Sequence, residues 1–254
     1  MKTPVNEFKR RLAAGAPLDG LWVSLASPIA AEAVSLLGFD WMLFDTEHCP
    51  IDLAQVQPLL QAAATGTASA VLRPAWNDKV LIKRALDMGA QTLLIPFVQT
   101  PEEAAEAVAA TRYPPDGIRG VAGATRASRY GQASDYFAQA DSQIAVLVQV
   151  EARAAMDRLE DIAAVPGVDG VFIGPSDLAA SYGHLGNPGH PEMQAVLEQA
   201  VQRLQAVGKP AGILATNAAD AKRYRGWGYA FVAGAVDLGL LIGGAKALLA
   251  EMRD

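Results

Sequence analysis

Residues 41–97 have the sequence WMLFDTEHCPIDLAQVQPLLQAAATGTASAVLRPAWNDKVLIKRALDMGAQTLLIPF, in which short apolar runs alternate with longer amphipathic stretches. Short apolar runs bounded by turn residues indicate buried strands, and apolar residues three and four positions apart indicate one face of a helix. The predicted strands are Trp41–Phe44, Ala70–Arg73 and Thr92–Phe97, and the predicted helices between them are Leu53–Ala64 and Lys79–Met88. This order of elements is typical of parallel β/α units.

The same alternation continues on both sides of this stretch. The further predicted strands are Gly20–Leu25, Ile144–Val150, Gly170–Ile173, Ala211–Leu214 and Ala230–Ala233. The further predicted helices are Pro28–Leu37, Glu102–Thr111, Ala154–Ala164, Pro191–Val207, Ala218–Arg225 and Gly239–Met252. Eight βα pairs in 254 residues, with no break in composition, predict one (β/α)8 barrel domain over 1–254. A doubly wound sheet is the alternative, but Ser24-Leu25-Ala26-Ser27-Pro28 lacks the glycines of a dinucleotide phosphate turn.

The composition excludes several classes of partner. The 21 Lys and Arg residues against 27 Asp and Glu residues give a net charge of −6, so neither nucleic acid nor an anionic membrane surface is an expected partner. No apolar stretch reaches the roughly 18 residues that a membrane span needs. The start, Met1–Arg11, lacks the apolar segment of a secretory signal. Because the chain has one cysteine, Cys49, an internal disulfide cannot form, and we expect a cytoplasmic protein.

Polar side chains follow several predicted strands at the point where each strand ends. In a parallel barrel these ends meet at one face, where active sites lie. The polar segments are Asp45-Thr46-Glu47-His48 after the second strand, Arg73 at the end of the third, Gln149-Val150-Glu151 at the fifth and Gly174-Pro175-Ser176-Asp177 at the sixth. The sequence therefore predicts an active site at this face.

Two carboxylates and an arginine define the chemistry expected there. Glu151 and Asp177 come from adjacent strands and offer the oxygen ligands that Mg²⁺ and Mn²⁺ prefer, although either could instead cap the helix that follows it. Arg73 ends an apolar strand, so we expect its guanidinium at the mouth of the barrel, where it could stabilise an oxyanion. An ion pair of Arg73 with Glu47 or Asp45 is the alternative, and the two roles are compatible.

The histidines and lysines narrow the candidates further. His48 is the histidine at a strand end, so we expect it to act as acid or base, with an exposed loop histidine as the alternative. We expect plain solvent exposure for His184 and His190. A nucleophilic pair of His48 and Cys49 is disfavoured because neighbouring residues of an extended chain point in opposite directions. No lysine falls inside a predicted strand, which disfavours imine chemistry.

Six motifs, in this order along the whole chain, together resemble the class II pyruvate-dependent hydroxyketoacid aldolases. They are Phe44-Asp45-Thr46-Glu47-His48, Val71-Leu72-Arg73-Pro74, Ala85-Leu86-Asp87-Met88-Gly89-Ala90, Gly117-Ile118-Arg119-Gly120-Val121, Gln149-Val150-Glu151 and Ile173-Gly174-Pro175-Ser176-Asp177-Leu178. This family includes 4-hydroxy-2-oxoheptanedioate and 2-keto-3-deoxy-sugar-acid aldolases and is related to citrate lyase beta. Cys49 and Ser176 depart from the family pattern, because a small residue without sulfur and an alanine are expected there.

The resemblance implies reversible cleavage of 4-hydroxy-2-oxo acids to pyruvate and an aldehyde through a metal-bound pyruvate enolate, with Mg²⁺, Mn²⁺ or Co²⁺ as cofactor. It implies that Glu151 and Asp177 bind the metal and that Arg73 holds the keto oxygen and the enolate. Gln149 is implied to orient substrate or metal-bound water. Backbone amides around Ser176 and Asp177, in the substrate-binding turn Gly174-Pro175-Ser176-Asp177, are implied to bind the carboxylate. Trp22 and Leu214 are implied to line the aldehyde pocket, and His48 to transfer protons together with Asp87, supported by Asp45.

Asp87 raises a question of geometry. It lies near the end of a helix that returns to the opposite face of the barrel, so a neighbouring subunit would have to supply it to His48, unless it is an ordinary surface aspartate. The resemblance implies such assembly, because family members are homo-hexamers built as dimers of trimers with exchanged C-terminal helices. The loop Arg119–Tyr130 starts from the same face, and we expect Arg119, Arg126 and Arg129 to close the neighbour's mouth or to form ion pairs between subunits.

Two other functions remain open from the sequence. A citrate-lyase-like acyl-CoA lyase would share the metal and the arginine, but the acidic composition disfavours a basic cleft for CoA. A non-catalytic barrel that binds a 2-oxo acid is the other alternative, and the presence of His48 and Arg73 disfavours it.

Overall fold

Eight mostly apolar strands form the closed parallel barrel that the alternating sequence predicts, with each strand hydrogen-bonded to the next and β8 to β1. The computed structural model describes residues 1–253. The strands are β1 Leu18–Val23, β2 Trp41–Asp45, β3 Ser69–Arg73, β4 Thr92–Ile95, β5 Ala145–Val150, β6 Gly170–Ile173, β7 Ala211–Leu214 and β8 Phe231–Val236. The predicted (β/α)8 fold is confirmed, although β1 is displaced by two residues, β4 ends earlier and β8 ends later than predicted.

Helices lie before, between and after the strands, and most of them cover the outside of the barrel. They are α1 Glu7–Ala13, α2 Pro28–Ser35, α3 Leu53–Ala63, α4 Lys79–Asp87, α5 Pro101–Thr111, α6 Tyr136–Gln139, α7 Arg153–Met156, α8 Leu159–Ala164, α9 Pro175–Ser181, α10 Pro191–Ala206, α11 Ala218–Trp227 and α12 Asp237–Glu251. The sequence did not predict the short helices α1, α6 and α9. The single helix predicted over 154–164 is wrong, because this segment forms the two short helices α7 and α8.

Proline and capping residues fix where several helices begin. Pro28 and Pro101 each occupy the first turn of a helix, where a missing N–H costs no hydrogen bond. The hydroxyls of Ser27 and Thr100 accept hydrogen bonds from backbone amides of these first turns, both at 3.2 Å. Local chemistry therefore sets where the loops after β1 and β4 end.

Aromatic side chains close one end of the barrel. α1 precedes β1 and brings the ring of Phe8 within 6.0 Å of Trp41 and 5.7 Å of Phe231, measured between ring centroids. Gly20 and Gly212 leave room for these rings, because a Cβ at either position would lie 2.2 Å from Trp41 or 2.0 Å from Phe231. The polar residues at the carboxyl ends of the strands therefore face the opposite, open end.

The last helix, α12, leaves its apolar side chains exposed. Leu241 and Met252 are 61% and 75% exposed, and Leu240 and Leu248 are more than half exposed. A Cβ at Gly239, Gly243 or Gly244 would meet no atom within 4 Å in the described chain. Residues 1–253 contain no helix that combines the length and the apolar character of a membrane span.

Candidate active site

An arginine and an aspartate from neighbouring strands form the centre of the site. Asp45 and Arg73 end β2 and β3 and are paired in the strand register. The Nε of Arg73 donates to Oδ1 of Asp45 at 2.9 Å, and Nη2 donates to Oδ2 at 2.7 Å. Because two parallel hydrogen bonds fix the plane of the guanidinium as well as its position, this pair orients Arg73 rigidly.

Three other groups surround the same guanidinium. Its Nη1 lies 2.7 Å from an oxygen of Glu47 and 3.4 Å from the side-chain oxygen of Gln149. Its carbon lies 4.7 Å from the ring centroid of Trp22. Arg73 is almost fully buried in this setting. The alternative ion pairs with Asp45 and with Glu47 are both present, and they hold the arginine at the mouth of the barrel.

The carboxylate of Asp45 is saturated with donors. Besides Arg73, it accepts hydrogen bonds from the indole of Trp22 at 3.2 Å and the backbone amide of Glu47 at 3.0 Å. Burial alone would raise the pKa of Asp45, but the hydrogen bonds and charge of Arg73 outweigh burial and lower the pKa to about 2. Asp45 therefore stays ionised and positions Arg73 rather than transferring protons.

Cys49 and His48 differ in their surroundings. The thiol of Cys49 lies 3.3 Å from an oxygen of Asp45, and burial together with that charge raises the thiol pKa to about 12. The thiol is therefore protonated at neutral pH, in agreement with the expectation that it forms no nucleophilic pair. The side chain of His48 is 65% exposed and lies 4.0 Å from Glu47, so it points towards solvent within its own chain.

Glu151 lies deep in the site. Its Oε1 accepts the backbone amide of Phe97 at 3.1 Å, and its Oε2 accepts the side-chain amide of Gln149. Burial raises the pKa of Glu151 to about 7, and the negative charges of Asp177 and Glu47 act in the same direction. A buried carboxylate beside two others needs either a proton or a cation.

Phe97 is a site residue that the sequence analysis missed. Its φ of 52° lies in the left-handed region, which is uncommon for a residue with a side chain. This conformation turns its amide towards Glu151, while its ring packs on Trp76 with centroids 5.7 Å apart. Pro96 was the signal available for the end of the strand. A proline has no backbone N–H to donate within the sheet, so β4 ends at Ile95, before residue 97.

The turn after β6 approaches Glu151 closely. A Cβ at Gly174 would lie 2.3 Å from Oε2 of Glu151 and 2.9 Å from the side-chain nitrogen of Gln149, so the turn requires glycine. Pro175 opens α9, and Ser176 and Asp177 are exposed on its first turn. Neither Asp177 nor Glu151 caps a helix, because the cap residues of α9 and α7 are Gly174 and Ala152. The capping alternative is therefore wrong for both carboxylates.

The donor set fits a divalent cation. Four carboxylates lie near one another, those of Asp45, Glu47, Glu151 and Asp177. Besides burial, the charges of Asp45 and Asp177 raise the pKa of Glu47, and those of Asp177 and Glu47 raise the pKa of Glu151, whereas the guanidinium of Arg73 lowers both. Asp45 and Glu47 are paired with Arg73, whereas Glu151 and Asp177 form no ion pair in the described chain and offer carboxylate oxygens to a cation. Mg²⁺ binds through one or two carboxylates and keeps several waters, as such a pair allows.

Leu214 and Trp22 lie on the inner side of the barrel. Leu214 ends β7, is half-buried and packs against the apolar cluster that contains Trp22 and Phe172. The rings of Trp22 and Phe172 are 5.7 Å apart. These residues give the site one apolar wall.

Asp87 lies away from the active site of its own chain. Its position near the end of a helix predicts this. It ends α4 and accepts a hydrogen bond at 2.9 Å from Arg119. Arg119 is buried, donates to the hydroxyl of Tyr136 at 3.0 Å and stacks over Tyr113 with its guanidinium carbon 4.5 Å from the ring centroid. Asp87 is therefore the partner of a buried arginine rather than an ordinary surface aspartate.

The expectations for two loop regions need correction. Arg119 is buried and therefore held inside its own subunit, and Arg126 donates to the backbone oxygen of Met88 at 2.8 Å. The expectation that all three loop arginines reach a neighbour is therefore wrong for Arg119, and it stays a prediction for the half-buried Arg126 and the exposed Arg129. His184 and His190 are not plainly exposed either, because they are half-buried and their rings stack 3.7 Å apart.

Comparison with known proteins places the chain in a family. The profile of the HpcH/HpaI aldolase/citrate lyase family matches residues 19–243. The chain is 56% identical over 251 residues to a pyruvate aldolase of Rhizobium etli, covering 99% of each chain. It is 54% identical over 247 residues to a 4-hydroxy-2-oxo-heptane-1,7-dioate aldolase of Salmonella dublin, covering 97% of this chain and 94% of the relative.

A solved structure agrees with these sequence relatives. It is a HpcH/HpaI aldolase/citrate lyase family protein from Burkholderia cenocepacia J2315, with a TM-score of 0.96 and 42% identity. The match covers 98% of this chain and 100% of that one. Both the sequence and the barrel therefore show that the chain is an aldolase, a carbon–carbon lyase, and belongs to the HpcH/HpaI aldolase/citrate lyase family.

Proposed function

We propose that the protein is a metal-dependent aldolase that reversibly cleaves 4-hydroxy-2-oxo acids to pyruvate and an aldehyde. The observation that carries this proposal is the bidentate pair of Arg73 and Asp45 beside the buried carboxylate Glu151. It combines a fixed positive charge with a group that attracts a cation, and cleavage of such acids develops negative charge on the keto oxygen. The names of the Rhizobium and Salmonella relatives support the same substrate class.

Arg73 holds the keto oxygen and the developing enolate. An arginine carries five N–H donors, and the bonds to Asp45 use Nε and one hydrogen of Nη2. The second hydrogen of Nη2 is left for the substrate. Because Asp45 is ionised and saturated, the guanidinium keeps its orientation as charge develops on the substrate.

Glu151 and Asp177 hold the divalent cation, which is Mg²⁺, Mn²⁺ or Co²⁺. When bound, it supplies Lewis-acid polarisation of the keto group. Gln149 links the two parts of the site, because its nitrogen binds Glu151 and its oxygen faces Arg73. Backbone amides around Ser176 and Asp177, in the turn Gly174–Asp177, bind the carboxylate of the substrate.

The aldehyde lies on the apolar wall of Trp22 and Leu214. Ser176 is exposed at the start of α9 and adds a hydroxyl to the site where an alanine is expected. We therefore expect the variant Ser176→Ala to differ from this chain in its preference among acceptor aldehydes.

Proton transfer is assigned to His48 together with Asp87 of a neighbouring subunit. His48 is exposed within its own chain, which leaves room for a partner residue, and Asp87 lies on the opposite face of the barrel. The exposed leucines of α12 support assembly with exchanged C-terminal helices into a homo-hexamer, a dimer of trimers. Light scattering of the purified protein tests the assembly, and a monomer would contradict this assignment.

Exchange of the C3 protons of pyruvate in D₂O tests the proposed chemistry. Metal-stripped protein should show little exchange and should regain it when Mn²⁺, Mg²⁺ or Co²⁺ is added. Failure of all three ions to restore exchange would refute the proposal. Binding of pyruvate without exchange would instead indicate a barrel that senses 2-oxo acids.

A further inference from the structure

Three potential metal ligands meet outside the active site, where the loop after α9 enters α10. They are His184, His190 and Glu192, and one ligand atom from each lies within 4.8 Å of the other two. We propose that these residues form a second metal site, selective for Zn²⁺ and similar transition-metal ions. This site is independent of the aldolase chemistry proposed above.

The three side chains lie close together, but the two rings do not yet direct their nitrogens at one point. The two imidazole rings stack 3.7 Å apart with an angle of 16° between their planes. The Nε2 of His184 lies 2.7 Å from an oxygen of Glu192. A tetrahedral ion with bonds of about 2.1 Å separates its ligand atoms by roughly 3.4 Å. His184 and Glu192 therefore need to separate by less than an ångström, and one of the stacked rings has to turn so that its in-plane nitrogen lone pair faces the ion.

The backbone holds the two histidines in place without a metal. The amide of His184 donates to the oxygen of Ala179 at 2.8 Å, and the amide of Asn187 donates to the oxygen of His184 at 2.9 Å. The amide of His190 in turn donates to the oxygen of Asn187 at 3.1 Å. A preformed loop loses little conformational entropy when the ion binds, so its ligands bind more tightly than flexible ones.

The ligand types determine which ions fit. Two imidazole nitrogens and one carboxylate oxygen suit Zn²⁺, with an open fourth position for water, whereas Mg²⁺ prefers oxygen ligands alone. Arg153 lies close enough to act on Glu192 by its charge and opposes binding of any cation. The cluster and the carboxylate pair of the active site should therefore take different metals.

Binding has a defined consequence for the start of α10. The Nδ1 of His190 accepts the amide of Glu192 at 3.2 Å, which places the ring proton on Nε2. When Nε2 binds the ion, that proton moves to Nδ1, and the bond to the amide is lost. His184 likewise moves its proton from Nε2 to Nδ1.

Zinc binding to the full-length protein tests the proposal. Metal-stripped protein is dialysed against Zn²⁺ with excess Mg²⁺ present to occupy the active site. The wild-type protein should bind one more equivalent of zinc than the double variant His184→Asn, His190→Asn, in which asparagine can still cap α10. Glu151→Gln, which removes a ligand of the active site, should keep the zinc equivalent that the double variant loses.

A second readout and a second variant keep the test decisive. Co²⁺ should give intense visible absorption typical of tetrahedral coordination in the wild type but not in the double variant. Turnover with Mg²⁺ should be the same in both. If the double variant does not fold, Glu192→Gln replaces it, because it keeps both rings and removes the carboxylate ligand. Equal zinc uptake and equal Co²⁺ absorption in the wild type and the folded variant would overturn the proposal.

Discussion

Replacing Arg73 by lysine tests the central assignment most directly. Lysine keeps the positive charge but has a single nitrogen in place of the two that Arg73 directs at Asp45 from 2.9 and 2.7 Å. One of these hydrogen bonds is lost, and the planar donor for the substrate oxygen is lost with it. We expect kcat to fall by about 10²- to 10³-fold, which corresponds to roughly 3 to 4 kcal/mol, as for loss of an oxyanion donor.

Two assays separate catalysis from folding in this variant. Turnover of a 4-hydroxy-2-oxo acid and C3 proton exchange of pyruvate should both fall, while metal titration changes much less, since Arg73 is not a metal ligand. The matched control is Arg203→Lys, because Arg203 makes a similar two-pronged pair with Glu160 between α10 and α8, outside the site. Near-normal turnover of Arg73→Lys, or an equal loss in Arg203→Lys, would refute the role of Arg73.

Four further predictions concern the groups around Arg73. Glu151→Gln should weaken binding of Mg²⁺ or Mn²⁺ by about tenfold or more, because it removes a charged ligand; an unchanged metal titration would contradict the assignment. Gly174→Ala should lower both metal affinity and thermal stability, because its Cβ would lie 2.3 Å from Glu151, whereas Gly123→Ala, which meets no atom within 4 Å, should change neither. Asp45, whose folded pKa of about 2 is below its value of 3.8 in the unfolded chain, should contribute about 2 to 3 kcal/mol to the free energy of unfolding. That contribution should be complete above about pH 5 and should be lost as the pH falls through the folded pKa of about 2, so urea unfolding of wild type and Asp45→Asn should converge below that pH; a difference that does not depend on pH would contradict it. Alkylation of Cys49 by iodoacetamide at pH 8 should be much slower than that of a free thiol, because its pKa is about 12; a rate like that of a small thiol would show that the thiol is not buried beside Asp45.

The sequence predicted the barrel because each strand is a short apolar run and each long helix carries an apolar stripe. Both patterns are local, so they can be recognised in the sequence without knowledge of the fold. The break between α7 and α8 and the short helix α9 were missed, because helices of four to seven residues are too short to show a period. The shift of β1 has another cause. An apolar residue, Leu25, follows the point where the hydrogen bonds of the strand end, so the apolar pattern does not mark that end.

The candidate site could be predicted where a charged residue lies at the carboxyl end of a predicted strand. Asp45, Arg73 and Glu151 satisfy both conditions, and the register of β2 and β3 brings the first two together. The left-handed backbone of Phe97 was not predictable, because a bulky residue adopts it only where tertiary contacts require it. The burial of Arg119 was also missed, since charge alone indicates exposure and its aromatic neighbours become apparent only in the fold.

The backbone of Phe97 has a consequence for engineering this enzyme. A left-handed conformation at a residue with a side chain costs on the order of 1 to 3 kcal/mol, and here that energy directs an amide at Glu151. Glycine at this position would relieve the strain but would make the unfolded chain more flexible. The same change would remove the ring that packs on Trp76 and would loosen the support of Glu151. Position 97 is therefore a place where relief of backbone strain would cost packing and the geometry of the site, and libraries for heat-resistant variants should leave it fixed.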